Sequence, residues 1–186
     1  VILGTIVAGD QGVAVVGKYA YVTYQSINTL SIVDVSTPTA PFIVGAASTT
    51  NGALGVAVSG RYAYVSGDIS GGGPYLNIFD ISNPSSPVLK STLRTADLGS
   101  VGSLSVAVTG RYAYVGYGSS GSAFISVDVA SSTAPVVVSS LIANGTISNM
   151  TIAGRYAYMS VGNTLAVYDV GGFETTSATI HSLEAG

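Results

Sequence analysis

Few residues in this chain have side chains suited to catalysis, and most of the charged ones belong to a repeated pattern. The 186 residues include nine acids, six bases, one histidine and no cysteine. A serine–histidine–acid triad could use only His181, and no Gly-x-Ser-x-Gly turn is present to hold a nucleophile. One histidine without cysteine also cannot build the usual zinc site. The sequence therefore predicts no catalytic residue, no metal site and no cofactor.

Eight charged residues recur at fixed places. A base opens a Tyr-Ala-Tyr tract four times, and an aspartate closes the next apolar run in each unit. The bases are Lys18, Arg61, Arg111 and Arg155, and the aspartates are Asp34, Asp80, Asp128 and Asp169. In antiparallel neighbours the start of one strand lies beside the end of the other. We therefore expect a structural cross-strand ion pair or turn cap in each unit, with a functional ring of four acids as the alternative.

Two glycine-rich loops depart from the repeat and contain the candidate ligand-binding residues. The first loop spans residues 66–75 and includes Asp68 and Tyr75, and the second spans residues 117–122 and begins with Tyr117. An exposed tyrosine ring can stack on a sugar, and a carboxylate could contribute to a calcium site. Hairpin tips without any ligand are the simpler interpretation of both loops.

The segments that must position these residues are all predicted to be strands. Apolar residues alternate with a period of two, and the repeated tracts start again every 43 to 50 residues. A glycine before each base indicates a hairpin, and proline turns precede a fourth strand in three units. A four-stranded unit exposes two apolar faces, so units must stack. This predicts an all-β fold, a β-propeller of four-stranded antiparallel blades, which fits better than a β-solenoid or a sandwich.

The predicted propeller domain covers residues 1–178, with units at about 11–50, 53–98, 103–144 and 148–178. Residues 1–9 resemble a fourth strand without a blade of their own. We expect them to complete the last unit and to close a four-bladed ring as a clasp. Residues 179–186 are either a last strand or an exit linker. If they form the fourth strand of the last unit, the four blades belong to a larger ring. We also expect the module to be a piece of a longer extracellular chain.

The units are similar to LVIVD repeats, a propeller family named for its third strand. The matching stretches are Leu-Ser-Ile-Val-Asp-Val-Ser at residues 30–36 and Leu-Asn-Ile-Phe-Asp-Ile-Ser at residues 76–82. The fourth unit departs from the pattern, since Gly-Gly-Phe at residues 171–173 replaces the Ser/Asn-Pro turn. The resemblance implies surface or secreted proteins whose repeats bind or scaffold, and it implies no catalytic residue.

Composition narrows the classes of function. Charged residues make up 8% of the chain, the net charge is −3, and the six bases form no cluster, which argues against nucleic acid binding. No apolar run approaches the roughly 20 residues of a membrane span. The sequence favours a non-enzymatic extracellular or cell-surface module that binds a protein or glycan, or that assembles with identical neighbours into a fibre. The alternative is a secreted hydrolase-type propeller with a carboxylate site in its channel.

Overall fold

The computed structural model describes residues 1–69, 73–94, 104–118 and 123–171, which form fifteen strands in four antiparallel sheets. Blade 1 comprises β1 (Val13–Val16), β2 (Tyr19–Tyr24), β3 (Thr29–Asp34) and β4 (Phe42–Ser48). Blade 2 comprises β5 (Ala53–Ser59), β6 (Tyr62–Ile69), β7 (Gly73–Asp80) and β8 (Val88–Arg94). Blade 3 comprises β9 (Leu104–Thr109), β10 (Tyr112–Tyr117), β11 (Ala123–Asp128) and β12 (Val136–Ile142). Blade 4 comprises β13 (Ile147–Ala153), β14 (Tyr156–Val161) and β15 (Thr164–Asp169).

Within each blade the strands pair in sequence order, as the repeat predicts. The first turn needs a glycine because its backbone is left-handed, with φ of 56° at Gly60 and similar values at the matching glycines of the other blades. None of the described residues forms a helix that is long and apolar enough to cross a membrane. The structure therefore confirms the all-β blade architecture.

Alternation along the third strand sends side chains to two neighbouring blades. In blade 2, Leu76 and Ile78 pack with Ile125 and other residues of blade 3, whereas Phe79 packs with residues of blade 1. We call the side that meets the next blade the forward face and the opposite side the rear face. Leu76, Ile78 and Phe79 are at most 1% exposed. Burial of each such side chain stabilises the stack by about 1.5–3 kcal/mol.

The predicted four-bladed clasp is wrong, and the four blades form an arc that does not close. Residues 1–9 form no strand, and Ala8 packs instead on the rear face of blade 1 against Ala20 and Val33. Asp10 N and Gln11 N then donate hydrogen bonds to Thr23 O, at 3.1 and 3.3 Å. Blade 1 is the nearest apolar face along the chain, so this contact closes the shortest loop.

Within the described part of the chain, blade 4 therefore has three strands, and β15 pairs with β14 alone. The other predicted partner of β15, residues 179–186, lies outside the described residues. The position of residues 1–9 argues against closure by four blades, and the larger ring stays a prediction.

Candidate functional site

A cavity of about 490 Å³ lies where the first strands of all four blades converge. Blades 1, 2 and 4 contribute the residues that lie five to seven positions before their repeated base, and blade 3 contributes those five and six positions before it. One of these positions is apolar in every blade, and its residues are Val13, Val56, Val106 and Met150. The repeat therefore builds a constant apolar layer around the cavity.

The polar groups of the cavity come from the positions six and seven residues before the repeated base, where the residue type differs from blade to blade. These polar lining residues are Gln11, Ser105, Ser148 and Asn149. They offer amide and hydroxyl groups, and no charged side chain belongs to the described lining. Such neutral donors and acceptors suit the hydroxyl groups of a sugar. The sequence interpretation overlooked these residues, although the variation among otherwise equivalent positions was a signal that could have found them.

Two aspartates outside the repeated base–aspartate pattern lie at the same edge of the arc as the residues that line this cavity, although neither belongs to the lining. Asp10 directly precedes Gln11, and its carboxylate accepts hydrogen bonds from Gln25 N at 2.9 Å and Ser26 Oγ at 3.2 Å. Asp68 occupies in blade 2 the position that Gln25 holds in blade 1. It is half-buried near the end of β6, and its amide contacts Gly52 O at 3.4 Å. No group of three potential metal ligands occurs among the residues that the structure describes.

Tyr75 and Tyr117, two of the tyrosines predicted to stack on sugars, are in the protein core. Tyr75 and Tyr117 are each 0% exposed, so neither ring presents a face to a ligand. The Tyr75 hydroxyl lies over Gly67 and accepts a hydrogen bond from Asn51 N at 3.4 Å. Burial raises the pKa of Tyr75. This corrects the stacking expectation, because position beside a hairpin tip does not determine on which side of the blade a ring packs. The tips themselves, residues 70–72 and 119–122, lie outside the described residues.

Four ion pairs occupy the opposite edge of the arc, one in each blade. Lys18 Nζ lies 3.2 Å from Asp34 Oδ2, and the arginines of the other blades pair as Arg61–Asp80, Arg111–Asp128 and Arg155–Asp169. Each base also lies over the ring of the tyrosine that follows it, at 5.1 to 5.5 Å from the ring centroid.

The aspartates of these pairs also cap the following turn. Asp80 Oδ1 accepts hydrogen bonds from Ser82 N at 3.0 Å and Ser82 Oγ at 2.7 Å. The hydrogen bond from Arg61, followed by those from Ser82, lowers the pKa of the Asp80 carboxyl. The cap uses one carboxylate oxygen and the ion pair uses the other, as expected for a structural role. Few lone pairs remain with which the four aspartates could bind a shared ligand.

The stacked antiparallel sheets and their repeated charge pairs define this protein as one of β-propeller type, built from tandem blades of similar design. The family model for the LVIVD repeat matches residues 9–49, 52–95, 102–142 and 144–177. The chain therefore belongs to the LVIVD repeat family. No curated protein is similar to it in sequence.

Solved structures with a similar fold include two lactonase structures and a designed protein. A protein from Bacteroides uniformis, assigned as a 6-phosphogluconolactonase, is 17% identical with a TM-score of 0.74, over 93% of this chain and 53% of that one. The periplasmic gluconolactonase PpgL of Pseudomonas aeruginosa is 18% identical with a TM-score of 0.69, over 86% of this chain and 49% of that one. The computationally designed Ika4 protein is 9% identical with a TM-score of 0.66, over 91% and 96%. The chain thus spans about half the length of both lactonase structures.

These similarities contradict the expectation of a non-enzymatic binding module. The same arrangement of blades is found in structures assigned as lactonases, so this fold is one on which enzymes are built and offers no ground for excluding an enzyme. The error has a physical reason: the sequence was searched for local motifs such as a nucleophile turn or closely spaced metal ligands. A propeller assembles its site from single residues at the same edge of several blades, and no local motif is needed. At these identities the similarity shows the fold alone.

Proposed function

We propose that this chain forms part of a secreted hydrolase that opens an uncharged sugar lactone at the mouth of the central cavity. The observation that carries the proposal is the cavity of about 490 Å³, whose mouth is lined by neutral amide and hydroxyl groups from several blades. Its volume lies within the usual range for small-molecule sites, roughly 300–1,000 Å³. The fold shared with gluconolactonase structures supports the same class of substrate.

Hydrolysis of a lactone adds water across the ring ester. A base removes a proton from the attacking water, the ester C–O bond breaks, and the ring oxygen takes up a proton to give a hydroxy acid. We assign the base to Asp68, which is half-buried at the end of β6, beside the loop that leads into β5. Asp10 acts as a positioning residue, because its carboxylate joins the segment before β1 to Gln25 and Ser26.

The distribution of positive charge favours a substrate without a phosphate group. All six lysines and arginines lie in the described residues, and four of them form the ion pairs at the opposite edge. Lys90 and Arg94 are exposed on β8, the outer strand of blade 2. Three strand spacings separate β8 from β5, which is roughly 14 Å. Binding of a phosphorylated lactone would require a cation near the mouth, where this chain supplies Asp10 and Asp68 instead.

The test is the hydrolysis of glucono-1,5-lactone and of its 6-phosphate by the purified chain, measured as acid release above buffer alone. We expect turnover of the uncharged lactone, at least tenfold slower turnover of the phosphate, and a loss of about 100-fold in kcat with Asp68→Asn. Asp128→Asn is the matched control, since it makes the same change at the opposite edge. Equal rates for the chain and for buffer would refute the activity. Unchanged kcat in Asp68→Asn would refute the assignment of the base.

A further inference from the structure

One position of the cavity lining breaks the symmetry of the repeat. It lies six residues before the repeated base, and it is Gly12 in blade 1, Gly55 in blade 2, Ser105 in blade 3 and Asn149 in blade 4. A β-carbon at Gly12 would come within 2.6 Å of Leu54 O, so blade 1 cannot place a side chain there without moving its neighbour. At this level of the cavity, hydrogen-bonding side chains therefore come from blades 3 and 4.

The side-chain amide of Asn149 has a defined orientation. Its Oδ1 accepts a hydrogen bond from Met150 N at 2.8 Å. A main-chain nitrogen can only donate, so this contact distinguishes the amide oxygen from the amide nitrogen. Asn149 is exposed at the cavity, and the group that it has left for a ligand is Nδ2 with its two hydrogens. Asn149 is therefore a hydrogen-bond donor to whatever occupies the cavity.

The amide of Gln11, which also lines the cavity, is oriented the other way. Its Nε2 donates a hydrogen bond to Gln25 Oε1 at 3.1 Å, so the oxygen is the group that it offers to a ligand. The two amides of the lining thus differ in chemistry. A ligand with both a hydroxyl and a carbonyl group finds an acceptor at blade 1 and a donor at blade 4.

Ser105 supplies a second donor on the blade next to Asn149. The first strands of blades 3 and 4, β9 and β13, pack side by side, and both residues occupy the same repeat position. Ser105 is only 9% exposed, and a hydrogen bond made in such a shielded place is stronger than one in water. In β13 the pairing register shifts between Ile147 and Asn149. Such a bulge re-aims the side chains beside it and is common next to functional sites.

From this pair of donors we infer that Ser105 Oγ and Asn149 Nδ2 bind the carbonyl oxygen of the lactone, an assignment that rests on the proposed function. When the water oxygen bonds to the carbonyl carbon, an electron pair moves onto the carbonyl oxygen. The two donors stabilise the negative charge that develops there. The electron pair then returns, the ring C–O bond breaks, and the ring oxygen takes up the proton that the water has lost.

The first experiment measures binding and does not depend on turnover. Glucono-1,5-lactam keeps the carbonyl group but resists hydrolysis, and 1,5-anhydroglucitol has a similar ring without the carbonyl. By calorimetry on the purified chain, we expect the lactam to bind about tenfold more tightly. Asn149→Asp replaces the donor with an acceptor of the same shape and should abolish this preference. Equal binding of the two probes by the wild type, or an unchanged preference in Asn149→Asp, would overturn the inference.

Two further variants separate the lost donor from other effects of the substitution. Asn163→Asp is the matched control, because Asn163 is exposed in the turn between β14 and β15 and does not belong to the described lining. It adds the same charge to the same blade and should keep the preference for the lactam. Ser105→Ala should reduce the preference by about threefold. A loss of the preference in Asn163→Asp as well would show that charge alone causes the effect, which would also overturn the inference.

Misfolding is an unlikely source of the Asn149→Asp result, because the new carboxylate can still accept the hydrogen bond from Met150 N. An unchanged circular dichroism spectrum and melting temperature verify this.

Turnover distinguishes a failure of the carbonyl site from a failure of the proposed function. Asn149→Asp should lower kcat for glucono-1,5-lactone by about 100-fold and change KM little, since the donors act mainly on the charge of the transition state. A chain that prefers the lactam through Asn149 but does not open the lactone would refute the proposed function and support the carbonyl site. A chain that opens the lactone with the same kcat in the wild type and in Asn149→Asp would refute the carbonyl site and support the proposed function.

Discussion

Thr23 Oγ1 in blade 1 donates a 2.7 Å hydrogen bond to the main-chain oxygen of Leu54 in blade 2. The same hydroxyl accepts a hydrogen bond from Gly12 N at 2.8 Å, and Thr23 is fully buried. Gly12 and Leu54 both line the central cavity. One side chain thus joins two adjacent blades directly beside the candidate site.

Replacement of Thr23 by valine should therefore destabilise the protein. Thr23→Val keeps the shape of the side chain but leaves the partly buried Gly12 N and Leu54 O groups without this partner. We expect a loss of about 1–3 kcal/mol in the free energy of unfolding, measured by urea denaturation. Thr29→Val is the control, because Thr29 Oγ1 bonds only to the nearby Ile27 O at 3.0 Å in an exposed turn. Equal losses of unfolding free energy in the two variants would show that the hydrogen bond between blades contributes no more to stability than the local hydrogen bond of Thr29.

Leu76 and Leu165 are equivalent in the repeat but should respond differently to truncation. Leu76→Ala creates a cavity between blades 2 and 3 and should cost about 2–5 kcal/mol. Leu165→Ala should leave the stability of the single chain almost unchanged, since the side chain is 72% exposed there. Urea denaturation of the two variants at the same protein concentration measures the difference. A large loss from Leu165→Ala would contradict the exposed position of this residue.

The four carboxylates of the repeat should make stability depend on pH. In the folded chain their pKa values are lowered, mainly by hydrogen bonds from the paired arginines, and for Asp34 by those from Ser36. Unfolding returns each carboxyl to its ordinary pKa near 4, so the unfolded chain binds protons first. This stabilisation is complete above about pH 5 and is lost as the pH falls through the folded values.

The melting temperature should therefore fall between about pH 5 and pH 2, and Asp80→Asn should make that fall smaller. Lys90→Ala is the comparison, because Lys90 belongs to none of the four ion pairs. An identical pH dependence in Asp80→Asn and the wild type would mean that this pair does not contribute.

Gly45 should resist replacement because blade 2 lies directly against it. A β-carbon at this position in β4 would come within 2.2 Å of Pro84 O in the turn between β7 and β8. Gly45→Ala must push two backbones apart and should cost about 1–3 kcal/mol. Ser139 is the equivalent residue of blade 3, where a β-carbon is already accommodated. Ser139→Ala should change the free energy of unfolding by less than about 0.5 kcal/mol, and a similarly small effect of Gly45→Ala would contradict the close approach.

The sequence by itself determined the blades and their internal order. Alternating apolar residues, a glycine before each base and the proline turns are local signals, and each acts within a few residues of the strand that it shapes. The pairing of Arg61 with Asp80 followed from the same logic, because antiparallel neighbours place the two ends together. The strand pattern and the glycine repeat four times and the proline turns three times, so an error in one unit would have been visible in the others.

Only the tertiary structure decided where the ring stops and which residues face its centre. The sequence could not show whether residues 1–9 reach β15 or rest on blade 1, because the same apolar stretch suits pairing with a strand and packing on a sheet face. Likewise, Tyr75 and Gln11 both lie near loops in the sequence, yet one is fully buried and the other lines the cavity. Ring closure and the central site depend on how one blade rotates against the next. That rotation depends on packing between residues far apart in the chain. A local sequence pattern therefore cannot predict it.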